Sequence, residues 1–218
     1  MNISGDYQRD GYAFVEQAVP SIVAKALLTR IRMDLERSGT PLDRFARGSD
    51  ILSREAVELS AEQYTPLATF LWGLTPIMTE ITGRDLVPTY DYFRLYRKGD
   101  ICRVHGDRPA CEHSMSLTLG YSDDIPWPLE IAKTPTPPEQ DVENDFSGRP
   151  FASLPMKPGD AVAYQGIPYR HGRMTPNPNG WSAHLFLHWV APDGPHASQA
   201  FDGKLDLTQP QAFFLPPS

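Results

Sequence analysis

The chain has 218 residues, with 20 Lys and Arg against 27 Asp and Glu, for a formal net charge of −7. An acidic balance without clustered basic residues argues against nucleic acid and anionic membrane as partners, and no apolar run approaches the roughly 20 residues of a membrane helix. Hydrophobic residues at 40 % and charged residues at 22 % describe a globular chain, of a length that suits a single domain.

The first half reads helical. Ile22, Ala26, Leu27, Ile31 and Leu35 form an amphipathic stripe, with Ser21 as its expected N-cap and Gly39 as its stop. Residues 39 to 60 are polar and read as loop or a short helix. A second helical stretch is expected from about Ala61 to Thr82, with Leu67, Phe70, Leu71, Leu74 and Met78 as its apolar face and Pro76 as a kink or break. From Pro88 onward the texture changes to short alternating runs separated by Gly, Pro and Asp. These runs are Tyr90 to Tyr96, Ser114 to Leu119, Pro128 to Ala132, Ala161 to Gln165 and Ser182 to Val190. Proline, at 22 of 218 residues, is about twice its usual ~5 % and favours short strands with many turns. Several such strands predict a sandwich or barrel. The expected fold is mainly β with N-terminal helices: a jelly-roll or cupin-like core with supporting helices. Residues 1–88 form the helical support region, 89–195 the core and 196–218 a tail packed on or near it. Residues 135–150, rich in Pro and acids, read as an exposed loop or lid.

Two cysteines, Cys102 and Cys111, are too few for a disulfide framework, and the N-terminus has no basic region leading into an apolar one. The expected setting is the cytoplasm, with both thiols buried and unpaired. Cys102-x-x-His105 and Cys111-x-His113 do not have the spacing of a zinc knuckle.

His105-Gly106-Asp107 is the informative motif. On an extended segment, residues i and i+2 share a face, so one imidazole nitrogen and one carboxylate oxygen can be offered to one metal ion. A histidine from a distant strand would complete a 2-His-1-carboxylate triad, which leaves coordination positions open for a cosubstrate and O₂. His171, after the Pro158-Gly159-Asp160 turn and the run from Ala161, is the candidate. His184, Phe186 and His188 share one face of the last strand with Ser182, so the two histidines are expected in the barrel's pocket if that face lines it.

The ordered set Tyr96-Arg97-Lys98-Gly99-Asp100, His105-Gly106-Asp107-Arg108-Pro109, Lys157-Pro158-Gly159-Asp160, Ala161 to Tyr164 and His171 resembles the iron-binding region of Fe(II)- and 2-oxoglutarate-dependent oxygenases. The nearest subgroup is the prolyl-4-hydroxylase-like set, and the resemblance spans roughly Tyr92 to Val190. It implies a double-stranded β-helix, His105, Asp107 and His171 as iron ligands, and Tyr96 as a residue that helps hold 2-oxoglutarate. It also implies a hydroxylase that uses O₂ and releases succinate and CO₂. The chain departs from the family at the cation that grips the distal carboxylate of 2-oxoglutarate. Residues 180–184, where the family carries Arg or Lys, read Gly-Trp-Ser-Ala-His. Arg173, on the strand face of His171, is the expected substitute, followed by His184 and then Arg94.

The missing late cation leaves two rival readings open. One is a cupin-type dioxygenase or isomerase that uses the same triad without 2-oxoglutarate. The other is a non-catalytic metal- or ligand-binding jelly-roll module. The expected partner is a small-molecule or peptide substrate, and nothing in the pattern fixes an oligomeric state.

Overall fold

A computed structural model describes residues 2–138 and 141–204. In chain order the regular elements begin with β1 (Asn2–Ser4), α1 (Tyr7–Asp10), β2 (Tyr12–Glu16), α2 (Ser21–Ser38), β3 (Ala46–Arg47), β4 (Ala56–Ser60) and α3 (Ala68–Thr82). They continue with β5 (Val87–Arg97), β6 (Cys102–His105), β7 (His113–Tyr121), β8 (Leu129–Ala132), β9 (Phe151–Leu154), β10 (Ala161–Tyr164), β11 (His171–Arg173) and β12 (Trp181–Val190). Eight strands make one sheet in the order β1-β2-β10-β7-β12-β5-β4-β3, and four make a second in the order β6-β11-β8-β9. All the pairings are antiparallel. The result is the expected two-sheet roll with helices on its outside.

The alternation in β7 and β12 explains the layering. Met115, Leu117 and Leu119, with Ala183, Leu185, Leu187 and Trp189, pack under Leu27 and Ile31 of α2 and Leu71, Leu74 and Met78 of α3. The opposite face of the same strands carries Ser114, Ser116, Thr118, Ser182, His184, Phe186 and His188, all also buried. One face is apolar because it meets the helices. The other faces the second sheet across the barrel interior, where its polar groups bond one another or residues outside these two strands: Ser114 to His188, Ser182 to Asn177 and Ser116 to Arg173.

Several elements differ from the sequence expectation. Residues 1–88 are not only helical: β1 to β4 supply half of the larger sheet. Ser21 is the first helical residue of α2, and Pro20 occupies the cap position with no side-chain hydrogen bond. The buried stripe of α2 is Ala24, Leu27 and Ile31, while Ile22 is 70 % exposed. The stretch expected as helix from Ala61 begins instead as a 3₁₀ turn (Thr65–Leu67), and α3 then runs through Pro76 without interruption. Gly39 and Gly83 close α2 and α3 in the left-handed conformation, as a C-terminal glycine does.

The acidic stretch 135–150 is anchored over the part described. Phe146 packs with Val104 and Ala132, Glu143 pairs by its backbone with Val104, and the Glu143 carboxylate meets Arg149. None of its described residues lines the cavity at the His105–Asp107 motif. The tail packs on the body as far as Lys204. Ala200 is buried, Phe201 lies 5.9 Å from Trp72, and Asp202 pairs with Arg108 at 2.6 Å; residues 205–218 lie outside the described residues. Among the described residues no helix is long and apolar enough to cross a membrane.

Candidate metal centre and active site

His105 ends β6 and His171 begins β11, and the two are direct cross-strand partners. Their rings lie 4.5 Å apart. Asp107 follows two residues after His105, and its amide donates to the Gly166 carbonyl at 2.9 Å. That bond folds the segment back so that the carboxylate faces both imidazoles. His105 Nε2 lies 3.6 Å from Asp107 Oδ1, and His171 Nε2 lies 3.5 Å from Asp107 Oδ2. Two donors about 2.1 Å from one ion at a right angle would lie about 3 Å apart, so a small closure around an ion suffices.

The outer contacts fix which nitrogen faces inward. His105 Nδ1 lies 2.8 Å from the Arg103 carbonyl, and His171 Nδ1 lies 2.9 Å from the Tyr169 carbonyl. A carbonyl can only accept, so each Nδ1 carries the proton and each Nε2 presents its lone pair to the shared space, as metal-ligating histidines do. Burial, helped by the neighbouring His171, pulls His105 down to about 4, in keeping with a neutral imidazole. Burial pushes the Asp107 carboxyl up, but His171 and His105 outweigh it and hold it down at about 2. Burial pushes His171 down, but the Asp107 carboxylate beside it outweighs burial and raises it, so the pair is held together by the proton that an ion would replace. The donor set is two imidazoles and one carboxylate, the set expected of a non-haem Fe(II) site with open positions.

The glycine at 166 is required by space. A Cβ there would lie 2.4 Å from Asp107 Oδ2 and 2.5 Å from the Cys111 carbonyl oxygen. Only a residue without a side chain lets this loop close on the carboxylate.

Beside the triad the barrel interior holds the other expected residues. Tyr96, Arg94, Arg173, Tyr92, Leu129, Tyr164 and Phe186 line a narrow cavity that also touches His105, Asp107 and His171. Arg173 is 1 % exposed. Its guanidinium donates to the Trp127 carbonyl at 2.7 Å and to Ser116 Oγ at 3.2 Å, lies 3.4 Å from His184 Nδ1 and stacks 4.9 Å over the Trp127 ring. Among the described residues no carboxylate pairs with it. Arg94 is different: its charge is met by Glu58 at 3.0 Å, and it also donates to the Tyr96 hydroxyl at 3.0 Å. Burial and the Arg173 charge push His184 well below the ordinary imidazole range. With Nδ1 turned to Arg173, its Nε2 is a buried donor with no partner.

A wider cavity of about 660 Å³ opens beside the triad. Tyr90, Tyr92, Glu58, Arg108 and Cys111 are among the residues that line it, together with His105 and Asp107. Tyr90 and Tyr92 stack on the inner-face residues His188 and Phe186 at 4.6 and 4.9 Å. The structure therefore brings His105, Asp107 and His171 together and lines the adjoining cavity with Tyr96, Arg173 and Arg94; His184 is fully buried beside Arg173 and is not among the residues that line it. The structure does not form the Cys102–His105–Cys111–His113 cluster: both thiols are buried and free, and His113 bonds Tyr7 instead. Sequence reasoning missed Glu58, Trp127 and Gly166. Glu58 sits on a short strand whose alternation spans only Val57 to Ser60. Gly166 offered only one signal, a glycine five residues before His171.

No protein-family model matches the chain, and no curated protein matches it. Solved structures do. The α-ketoglutarate-dependent carbocyclase SnoK from nogalamycin biosynthesis superposes with a TM-score of 0.65 at 12 % identity, over 91 % of this chain and 89 % of its own. The epimerase SnoN, in complex with Fe³⁺, α-ketoglutarate and nogalamycin RO, gives 0.59 at 14 % identity, over 96 % and 91 %. A Pseudomonas putida prolyl-4-hydroxylase gives 0.57 at 16 % identity, over 85 % and 95 %. The chain thus has the double-stranded β-helix fold of the non-haem iron, 2-oxoglutarate-dependent oxygenases.

Proposed function

We propose that the protein is an Fe(II)- and 2-oxoglutarate-dependent oxygenase that hydroxylates a C–H bond of a small molecule or an amino-acid residue. The observation that carries the reading is a pairing of two features in one space. Two imidazoles and a carboxylate converge, and a buried guanidinium without a carboxylate partner stands beside them. A buried charge left unpaired is costly, so Arg173 needs an anion that the chain itself does not supply. The distal carboxylate of 2-oxoglutarate is that anion, and a planar guanidinium suits it because it donates two parallel hydrogen bonds.

In this reading His105, Asp107 and His171 hold the iron. Arg173 grips the far carboxylate, with the unpartnered Nε2–H of His184 as a second donor. Tyr96 stands close enough to share the grip. Arg94, neutralised by Glu58, is the poorer anchor and instead holds the Tyr96 hydroxyl in place. When bound, iron with 2-oxoglutarate supplies the oxidising power for C–H cleavage, with succinate and CO₂ as co-products. The chain's residues orient the cosubstrate, keep the interior dry and admit substrate through the cavity that Tyr90 and Tyr92 wall. Its volume lies within the range of small-molecule sites. The Asp107 carboxylate fills a position that only a small residue would leave open to a halide, and so favours hydroxylation.

The test is anaerobic. Fe(II) and 2-oxoglutarate added together to the purified protein should give a weak visible charge-transfer band, and neither should give it alone. Succinate should then form with O₂ and a substrate from a panel of amino acids, peptides and ring compounds. Iron binding without the band would move the assignment to the cupin-type enzyme, and absence of any turnover would move it to a binding module.

A further inference from the structure

A second group of donors lies beside the first and shares one member with it. Asp107, Cys111 and His188 each offer a ligand atom, and the three atoms lie within 4.8 Å of one another. Cys111 closes the 3₁₀ turn that follows the His105–Asp107 motif. His188 comes from the inner face of β12, 2 % exposed. Its Nδ1 lies 2.8 Å from Ser114 Oγ, and its Nε2 is buried with no partner. Ser114 in turn lies 3.3 Å from the Cys111 carbonyl and 3.5 Å from Asp107 Oδ2. The serine hydroxyl can thus donate to these oxygens while it accepts from Nδ1–H, which leaves the His188 Nε2 lone pair free.

We infer that Asp107, Cys111 and His188 form a second metal site, overlapping the first, for a borderline-soft divalent ion such as Zn²⁺. One thiolate, one imidazole and one carboxylate match the donors that zinc prefers, whereas the first triad has no sulfur. Zinc lowers the cost of ionising the thiol, and binding expels the Cys111 proton to solvent. The ion has a way in, because Cys111 and Asp107 both line the wide cavity. The Tyr90 hydroxyl, 3.1 Å from Cys111 Sγ, then turns to donate to the bound thiolate. An ion seated here holds the Asp107 carboxylate. On the iron reading proposed above, zinc therefore competes with the catalytic ion for that ligand.

Cobalt(II) tests the site directly, because thiolate ligation gives an intense near-ultraviolet charge-transfer band that imidazole and carboxylate ligation do not. The full-length His171→Ala protein, with the first triad broken, should bind one Co²⁺ and show this band. Zn²⁺ should displace the cobalt and abolish the band. In His171→Ala, Cys111→Ser the band should be lost, and in His171→Ala, His188→Ala the cobalt affinity should fall by tenfold or more. Circular dichroism and thermal unfolding confirm that each variant is folded. A folded His171→Ala protein without the band overturns the inference, and so does a band that survives Cys111→Ser, since the sulfur would then be that of Cys102. Failure of the 2-oxoglutarate band in the wild type, with the cobalt–thiolate band intact, would overturn only the proposed function.

Discussion

Replacing Gly166 by alanine should displace the metal-binding carboxylate by a distance the structure sets. The added Cβ would lie 2.4 Å from Asp107 Oδ2, 2.5 Å from the Cys111 carbonyl oxygen and 2.9 Å from Ser114 Oγ. Ordinary contact begins about 1 Å further out, so at least two of these neighbours must retreat. The Cys111 carbonyl is backbone, in a turn whose flanks are buried, and it yields little. The Asp107 side chain yields more easily, but its amide is tied to the Gly166 carbonyl at 2.9 Å, so its carboxylate swings away from His171. Overpacking of this kind costs about 1–3 kcal/mol of stability, at about 2–4 °C of melting temperature per kcal/mol for a chain of this size. Disturbing the support of a metal ligand typically costs about 10–100-fold in metal affinity. Gly166→Ala should therefore lower the unfolding midpoint by several degrees and weaken Fe(II) binding by that factor, read by anaerobic titration. In an Asp107→Ala background the same change should cost stability but no further iron affinity, because the ligand it displaces is gone. A Gly166→Ala protein that binds iron like the wild type would refute the account of how the loop closes on Asp107.

His105→Ala and His171→Ala should each abolish Fe(II) binding and turnover while the far-ultraviolet circular dichroism is kept, since β6 and β11 are held by backbone pairing; full activity in either variant would dismiss the triad. Arg173→Leu should raise the 2-oxoglutarate KM by about tenfold or more, the cost of about 1.5–3 kcal/mol for one charge-assisted contact, with iron affinity little changed. A larger rise in Arg94→Leu would transfer the anchor to Arg94. Asp91 is 1 % exposed, and burial pushes its carboxyl up to about 7 against the opposing pull of the Ala61 backbone. The folded state keeps this proton while the unfolded chain sheds it near 3.8, so the stability it contributes is fully present below that value and is lost as pH rises through about 7. The whole span is worth roughly 4 kcal/mol. Denaturant unfolding of the wild type should show this decline between about pH 4 and pH 7, and Asp91→Asn should flatten it; an unchanged slope in the variant would remove Asp91 from the account.

The strands that carry the site were legible because each has both faces buried and only one apolar. Met115-Ser116-Leu117-Thr118 in β7 and the run from Ser182 to Val190 in β12 alternate cleanly, and both were located to within two residues. The His105–Asp107 spacing was legible for the same reason, since a period of two is enough to put both side chains on one side of the chain. What escaped was set by partners far away in sequence. β4 pairs with β5 and places Glu58 on Arg94, yet the alternation from Val57 to Ser60 covers only four residues, too short a run to stand out from the polar stretch around it. The stripe on α2 was misphased by one residue type: Ile22 is apolar but exposed, and the small Ala24 is what meets the sheet. Helix periodicity cannot separate these when the sheet surface accepts a methyl group more readily than a butyl one.

The anchor shows the opposite case, where a departure in sequence proved informative once the interior was assembled. The last strand lacks the expected cation and offers His184 instead. Arg173 reaches across from β11 until its guanidinium lies 3.4 Å from that histidine's Nδ1, so the two side chains meet from the two different sheets. A protonated His184 could not share this space with Arg173, and burial together with the arginine charge keeps it neutral. A neutral imidazole that accepts from Arg173 through Nδ1 must present Nε2–H elsewhere, and the position has no partner within the protein. The Arg173 hydrogen bonds go to the Trp127 carbonyl, Ser116 and His184, and none of these neutral groups offsets its charge. On the proposed reading a carboxylate supplies the offsetting charge, so the loss of a cation from the last strand does not require the loss of a diacid cosubstrate.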